Sequence, residues 1–459
     1  MSEPPLNAAL PLGVNLAGYL DATAGIGEAA RHVATALRAA GVAVAPIVLA
    51  GDAPRSLDAA GDLGAAADAT HATTIICANP EGIEGARDQI GAEALAGRHV
   101  VGMWWWEVDA LPPRWLRAFD VVDEVWVGSR FVADALAAVS PVPVVHVPLA
   151  VSEPQASDAG RAELGLPDGF LFGFVYDYAS IAARKNPLGL IAAYDRAVPA
   201  SERERVRLVL KSLGGDGRWA AEHAEVVAAA AACDGVVVVD GHMAAGDKNA
   251  LLRELDCYVS LHRSEGFGLT IAEAMLLGTP VIATDYGGSR DFVTPFNARP
   301  VDYRLVSIGP GHDPYPATGT WAEPDLAHAA KRMRAAWERP ERLRERADRA
   351  RADMLAAHAP QVAGQRMADR LARIATAPHD GAGRLTALDL DGIRERLSRE
   401  PRPGDAGADA GPRAALRDAA LRAMRPYTAH QRLLDEEILR ALQSLDERVR
   451  GLAQGQQSL

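Results

Sequence analysis

The sequence predicts an α/β protein built from two doubly wound parallel-sheet domains in tandem. Three observations carry this. Short, nearly unbroken apolar runs alternate with helix-length stretches, as strands buried on both faces require. The alternation pauses near Leu149 and then restarts, as two units would and one large sheet would not. The chain has 459 residues, too many for one ordinary core at about 150 residues per domain.

In the first unit, Gly13–Leu16, Val42–Leu49, Thr73–Ala78, Val100–Trp105, Glu124–Val127 and Val144–Val147 read as strands. Gly27–Ala40 and Phe131–Val139 read as helices. After a hinge near Pro148–Pro154, the strands are Phe170–Tyr176, Val206–Lys211, Val236–Asp240, Tyr258–Leu261 and Val281–Thr284. Between them lie helices at Pro187–Ala197, Trp219–Ala232, Lys248–Leu255 and Thr270–Leu277, and Asp325–Thr376 closes the unit as mostly helix. The domains are therefore 1–150 and 151–376, facing each other across a cleft, with ligands expected beyond the carboxyl ends of the strands.

Residues 377–412 read as a flexible linker, rich in Pro, Gly, Asp and Ala towards their end. Residues 413–459 read as a helical tail. Ile438, Leu442, Leu445, Val449 and Leu452 repeat there with coiled-coil-like spacing. Arg413, Arg417, Arg422, Arg425 and Arg432 precede that seam. The pattern leaves three roles open: packing on the protein's own surface, homo-oligomerisation, and peripheral contact with a membrane.

Composition narrows the function. Hydrophobic residues are 49% and charged residues 24%, which excludes wholesale disorder. The formal net charge of −12 argues against nucleic acid as a partner. Cys77, Cys233 and Cys257 form neither a C-x-x-C pair nor a disulfide framework, so a reducing cytoplasm is expected. The opening residues lack a signal-peptide pattern, and no run approaches a spanning helix. The expected location is cytoplasmic, with contact at the inner face of the membrane left open. Four of the 48 cations are lysines: Lys185, Lys211, Lys248 and Lys331. Where arginine is the default, each lysine is worth attention.

The strongest chemical signal runs from Glu265 through Gly266, Phe267, Gly268 and Leu269 to Glu273, between a strand and a helix. The glycines let backbone approach a ligand, and the helix N-terminus attracts anions. Two carboxylates so placed can accept hydrogen bonds from sugar or ribose hydroxyls. Gly287-Gly288 follows another strand and reads as a second phosphate-facing turn. Arg184-Lys185 lies after the strand Phe170–Tyr176, where two cations can neutralise a diphosphate.

Arg263-Ser-Glu-Gly-Phe-Gly-Leu-Thr-Ile-Ala-Glu273-Ala-Met, with Gly278-Thr-Pro-Val-Ile-Ala-Thr after it, resembles the Glu-x7-Glu region of retaining glycosyltransferase family 4. Gly25-Ile-Gly27-Glu28, Trp126-Val-Gly-Ser129 and Arg184-Lys185-Asn186-Pro187 extend the resemblance over roughly four-fifths of the chain. The resemblance implies the GT-B fold and transfer of a hexose, with GDP-mannose or a related donor favoured over other GDP- or UDP-hexoses. It places Glu265 at the transferred sugar, Glu273 at the ribose and Lys185 at the diphosphate. Gly266, Phe267, Gly268 and Leu269 would offer backbone N–H groups, and His242-Met243 would lie at the base. The family's partner arginine is missing from Phe174-Val-Tyr-Asp177, so Arg184 or Lys211 is the candidate second cation. The first domain would hold the acceptor, at Gly25, Gly27 and the segment Trp105-Trp106-Glu107. The family's usual histidine in this half has no clear match.

The resemblance also implies a metal-independent reaction with no cofactor beyond the nucleotide sugar. Retention by a front-side path needs no enzymic nucleophile, whereas double displacement needs a carboxylate under the anomeric carbon. A glycan, a glycolipid and a small molecule are the acceptor classes left open. Two alternatives stand beside this reading: another GT-B enzyme such as an epimerase or phosphorylase, and a non-catalytic scaffold subunit.

Overall fold

Strands with no polar face must be covered on both sides, and the computed structural model of the chain does this twice. It describes residues 12–22, 25–51 and 69–376. The linker and tail expected over 377–412 and 413–459 lie outside the described residues.

The first sheet draws on β1 (Gly13–Gly18), β2 (Ala43–Val48), β3 (Thr73–Cys77), β4 (His99–Trp104), β5 (Glu124–Val127) and β6 (Val144–His146). Its order is β2-β1-β3-β4-β5-β6, with every pair parallel. Its helices are α1 (Gly25–Ala39), α2 (Ile83–Ile90), α3 (Ala92–Leu95) and α4 (Arg130–Ala137). Ser129 caps α4, its Oγ accepting from the Val132 amide at 3.3 Å.

The second sheet is also parallel. It comprises β7 (Phe170–Asp177), β8 (Val206–Leu213), β9 (Val236–Val239), β10 (Cys257–Ser260), β11 (Val281–Thr284) and β12 (Arg299–Val301), in the order β12-β11-β10-β7-β8-β9. It is flanked by α5 (Ala182–Lys185), α6 (Pro187–Ala197), α7 (Ala220–Ala231), α8 (Ala245–Glu254) and α9 (Leu269–Leu276). Pro187 opens α6, where its missing N–H is no loss.

Three elements differ from the sequence reading or add to it. β12 was not expected; its Arg-Pro-Val sequence is tolerated because it pairs on one side only, at the sheet edge. β13 (Tyr303–Ser307) and β14 (Thr320–Pro324) form an antiparallel hairpin outside both sheets. Mostly exposed and without clean alternation, β13 carries little strand signal.

The closing helices are α10 (Leu326–Glu338), α11 (Glu341–His358) and α12 (Pro360–Thr376). Helix α12 crosses back to the first sheet. Gly364 lies so close to α1 that a Cβ would come within 2.0 Å of the Ala36 carbonyl oxygen. Arg370 Nε donates to buried Glu124 Oε1 at 3.1 Å, and Nη2 bonds the other oxygen. The connection between the sheets is tied down beside it. The Val151 amide donates to the His358 carbonyl at 2.8 Å, and His358 Nδ1 bonds the Leu149 carbonyl at 2.9 Å.

Candidate active site

In the second sheet, chain order reverses between β7 and β10, so their following loops diverge and leave a crevice. The segment after β7 carries Arg184 and Lys185 in the short helix α5; the loop after β10 carries Glu265. Lys185 Nζ donates to Glu265 Oε1 at 2.5 Å, and Arg184 Nη1 lies 3.2 Å from Oε2. Burial would push the Glu265 carboxyl up, but Lys185 and Arg184 outweigh it and hold the pKa at about 2. Glu265 is therefore an anion at neutral pH, with both oxygens engaged.

Arg184 is fully buried. Nε donates to the Ser180 carbonyl at 3.1 Å and Nη1 to the Ser264 carbonyl at 2.8 Å, while Nη2 reaches Glu107 Oε1 at 3.0 Å. The Glu107 Oε2 accepts from Tyr315, which stands in the hairpin loop, and the Ser264 hydroxyl bonds the Glu107 carbonyl. Arg184 thus joins a carboxylate that follows β4 of the first sheet to one that follows β10 of the second. This differs from the expected open diphosphate cation, because each of its three nitrogens already has a protein partner.

The glycines after Glu265 are demanded by close backbone approach. A Cβ on Gly266 would sit 2.5 Å from the Trp106 carbonyl oxygen, and one on Gly288 only 1.9 Å from the Gly266 oxygen. The Gly288 amide donates to the Glu265 carbonyl at 2.7 Å, and Ser129 Oγ donates to the Gly266 carbonyl at 2.5 Å. Gly268, at φ +96°, turns the chain into α9. Its helix N-terminus follows directly, with Leu269 first, while Phe267 packs inward against Phe292 and His358.

Glu273 lies on α9, nearly buried, and accepts from Lys248 Nζ of α8 at 2.7 Å. Opposite stands α1. Both Glu28 and His32 of that helix lie within electrostatic reach of Lys248, and His32 also of Glu273. The sequence reading placed Lys248 in a helix and gave it no role; the signal was its rarity. Tyr315 and Ser264 carried no signal, since their partners are remote in the chain.

The remaining candidates are scattered. Lys211 is buried and spent on backbone, donating to the Ser212 carbonyl at 2.8 Å and to that of Gly241. Neither of these contacts is with Lys185 or Glu265. His242 is exposed and Met243 half-buried in the loop after β9. Gly25 has open space where a Cβ would be, whereas Gly27 is pressed against the Ala22 and Tyr19 carbonyls. Of the acceptor candidates Trp105, Trp106 and Glu107, Trp106 is a packed core ring. It is 1% exposed, donates to the Ala110 carbonyl at 3.0 Å, and meets Trp115 and Tyr315 edge-on. Trp105 is half-buried, and its backbone amide donates to Asn79 Oδ1 at 2.7 Å. Among the described residues no His, Cys, Asp and Glu group is placed to hold a metal ion, and no helix is long and apolar enough to cross a membrane.

Two parallel six-stranded sheets in tandem, with helices between their strands, match the GT-B architecture. Residues 172–351 match the family described as glycosyl transferases group 1. A sucrose-phosphate synthase of Thermosynechococcus elongatus shares the fold at 17% identity and TM-score 0.57, over 79% of this chain and 99% of that one. HepE of Anabaena, solved with UDP and glucose, does so at 15% identity and TM-score 0.56, again over 79% and 99%. A 70-residue stretch is 44% identical to the lipopolysaccharide core biosynthesis mannosyltransferase LpsB of Rhizobium meliloti (strain 1021). That stretch is 15% of this chain and spans 19% of that relative.

Proposed function

We propose that the chain is a metal-independent, retaining glycosyltransferase of family 4. It moves a hexose from a nucleoside diphosphate sugar to an acceptor hydroxyl in glycan biosynthesis. The observation that carries this is the pairing of Lys185 with Glu265 and of Lys248 with Glu273, on one glycine loop and the helix it opens. The group 1 match spans all four residues. Mannose is the favoured sugar, supported by the short stretch shared with a mannosyltransferase.

The roles follow from the chemistry. Lys185 has donors to spare beyond Glu265 and faces the leaving diphosphate. With the amides at the start of α9 it stabilises the charge that develops there. Arg184 is a positioning residue: it holds Glu265 and Glu107 in place rather than touching phosphate. Glu265, ionised and fixed on both oxygens, orients hydroxyls of the transferred sugar but is ill-placed to attack carbon. Front-face transfer is therefore preferred over double displacement. In it, the acceptor oxygen bonds to the anomeric carbon as the diphosphate leaves, and the acceptor proton passes to the departing phosphate. Water exclusion between the two domains limits hydrolysis of the donor.

The test is calorimetry of the full chain with UDP, GDP, UDP-glucose and GDP-mannose in the presence of EDTA. NMR of the product formed on candidate acceptors follows. One nucleotide family should bind, and the product anomer should match the donor's. Binding only with added metal would overturn metal independence, and an inverted product would overturn retention. Absence of binding to any of them would overturn the reading as a whole.

A further inference from the structure

The hairpin β13–β14 pairs with neither large sheet, yet it is bonded to the residues around Glu265 from two sides. Strand β14 holds the loop after β10. The Ala322 amide donates to the Arg263 carbonyl at 2.9 Å, and Arg263 Nε donates to Glu323 Oε2 at 2.8 Å. Arg263 in turn reaches α5: its amide donates to the Arg184 carbonyl at 2.7 Å and its Nη1 to the Ala183 carbonyl at 2.6 Å. The loop between the two strands, residues 308–319, seats on the segment after β4. Asp313 pairs with Arg114 at 2.7 Å on the exposed rim, and the Tyr315 hydroxyl donates to Glu107 Oε2. One element outside both sheets thus holds the segment after β4 and the loop after β10 directly, and α5 through Arg263.

Tyr315 is the part of the hairpin loop that reaches inward. It is buried, and its ring meets Trp106 edge-on at 5.6 Å. Burial raises its hydroxyl pKa well above the usual phenol value, and Glu107 adds to the rise while Arg184 opposes it. The hydroxyl is therefore a donor at neutral pH. From it runs a chain of direct contacts. Glu107 Oε2 accepts from Tyr315, Glu107 Oε1 lies 3.0 Å from Arg184 Nη2, and Arg184 Nη1 lies 3.2 Å from Glu265 Oε2. A buried network of this kind fixes each member through the next, and binding groups need such support to hold their geometry. We propose that the hairpin is a clamp on the sugar subsite, with Tyr315 as its positioning residue: by fixing Glu107 it holds Arg184, and through Arg184 it holds Glu265, in the geometry that receives the transferred sugar. This rests on the glycosyl-transfer reading above. It adds that an element outside both sheets sets how well the sugar, as distinct from the nucleotide, is recognised.

Calorimetry tests this by comparing UDP with UDP-glucose and GDP with GDP-mannose. The proteins are wild type, Tyr315→Phe, Glu107→Ala, the double variant and Arg114→Ala, all full-length. Tyr315→Phe keeps the ring against Trp106 and removes the hydroxyl alone. It should weaken the sugar conjugate of the preferred nucleotide by about 3–10-fold and leave the bare nucleotide unchanged. Glu107→Ala should do the same, and adding Tyr315→Phe to it should cost nothing further, because the hydroxyl acts through that carboxylate. Arg114→Ala loosens the rim of the hairpin without touching the chain of contacts, and both affinities should stay at the wild-type values. Unchanged affinity for the sugar conjugate in Tyr315→Phe overturns the proposal. So does equal weakening of conjugate and bare nucleotide, or additive losses in the double variant. A loss in Arg114→Ala as large as that in Tyr315→Phe would mean general loosening of the hairpin and overturns the positioning role. Should Tyr315→Phe fail to fold, Glu107→Ala decides, and an unchanged conjugate affinity there overturns the proposal. If wild type binds none of the four ligands, the functional reading fails first and this inference with it. Binding of sugar conjugates that is indifferent to Tyr315 and Glu107 overturns this inference alone.

Discussion

Glu265 is where charge, burial and chemistry meet. Its carboxyl is held at about 2 instead of 4.5 because two cations outweigh the desolvation. A depressed carboxyl contributes stability that is present above the unfolded value and lost as pH falls through the folded one. Urea midpoints of wild type should therefore drop faster than those of Glu265→Gln between pH 4.5 and about 2, with the excess slope confined to that window. Equal slopes would mean the ion pairs do not govern this carboxyl. Lys185→Ala should lower kcat/KM by roughly 10²–10³-fold, as loss of one preorganised charge does at a leaving group. The fold should persist, as checked by circular dichroism beside the steady-state assay.

At the scale of elements, the glycine loop and the turn around Gly288 are packed backbone on backbone. Gly288→Ala would force a Cβ into the Gly266 carbonyl and towards Ser129 Oγ, 1.9 and 2.7 Å away. Neither obstacle is a flexible side-chain end: one is backbone, and the other already donates to that same carbonyl. Overpacking of this kind destabilises by about 1–3 kcal/mol. A lowered melting temperature together with lost donor affinity is expected. An unchanged melt and affinity would show that the loop is looser than these contacts imply. The hairpin β13–β14 is the second element with a stake in the site. It meets the segment after β4 through Tyr315 on Glu107 and through the Thr320 amide on Asp109 Oδ1 at 2.9 Å.

On the scale of the molecule, α12 ties the last residues described to the first sheet. Arg370 is the ion-pair partner that reaches Glu124 from that helix, and Trp126 Nε1 donates to the same carboxylate at 2.5 Å. Glu124 is fully buried. Arg370→Ala would leave that charge poorly compensated, a loss of roughly 3–5 kcal/mol. Adding Glu124→Gln should return part of it, which a double-mutant cycle in urea would measure. Additive losses would mean the two side chains do not act as a pair. Acid should also weaken the whole fold. His262, His32 and His358 are buried, which lowers their pKa values below the usual 6.5. The unfolded chain takes up those protons first, so stability falls as pH drops below about 6.5. Melting temperatures at pH 8 and pH 5.5 test this, and no decline would place these rings outside the cooperative core.

Local features were legible in the order of residues alone. Apolar runs announced the strands, and Glu124–Val127, Pro187–Ala197 and Val281–Thr284 match the observed elements residue for residue. Glu265, Glu273, Lys185 and the intervening glycines were legible because they lie in short segments whose spacing carries the chemistry. Pairing between segments far apart in the chain came only with packing. Arg184 looked like a free cation until burial placed it between Glu107 and Glu265. Trp106 was one of three acceptor candidates in a row, and its packing against Trp115 and Tyr315 could not be read from the sequence. Lys248 gained Glu273 as a partner only when α8 and α9 packed together. Side-chain type is written in the chain, but desolvation and charge pairing depend on which surfaces meet, and folding alone brings those together.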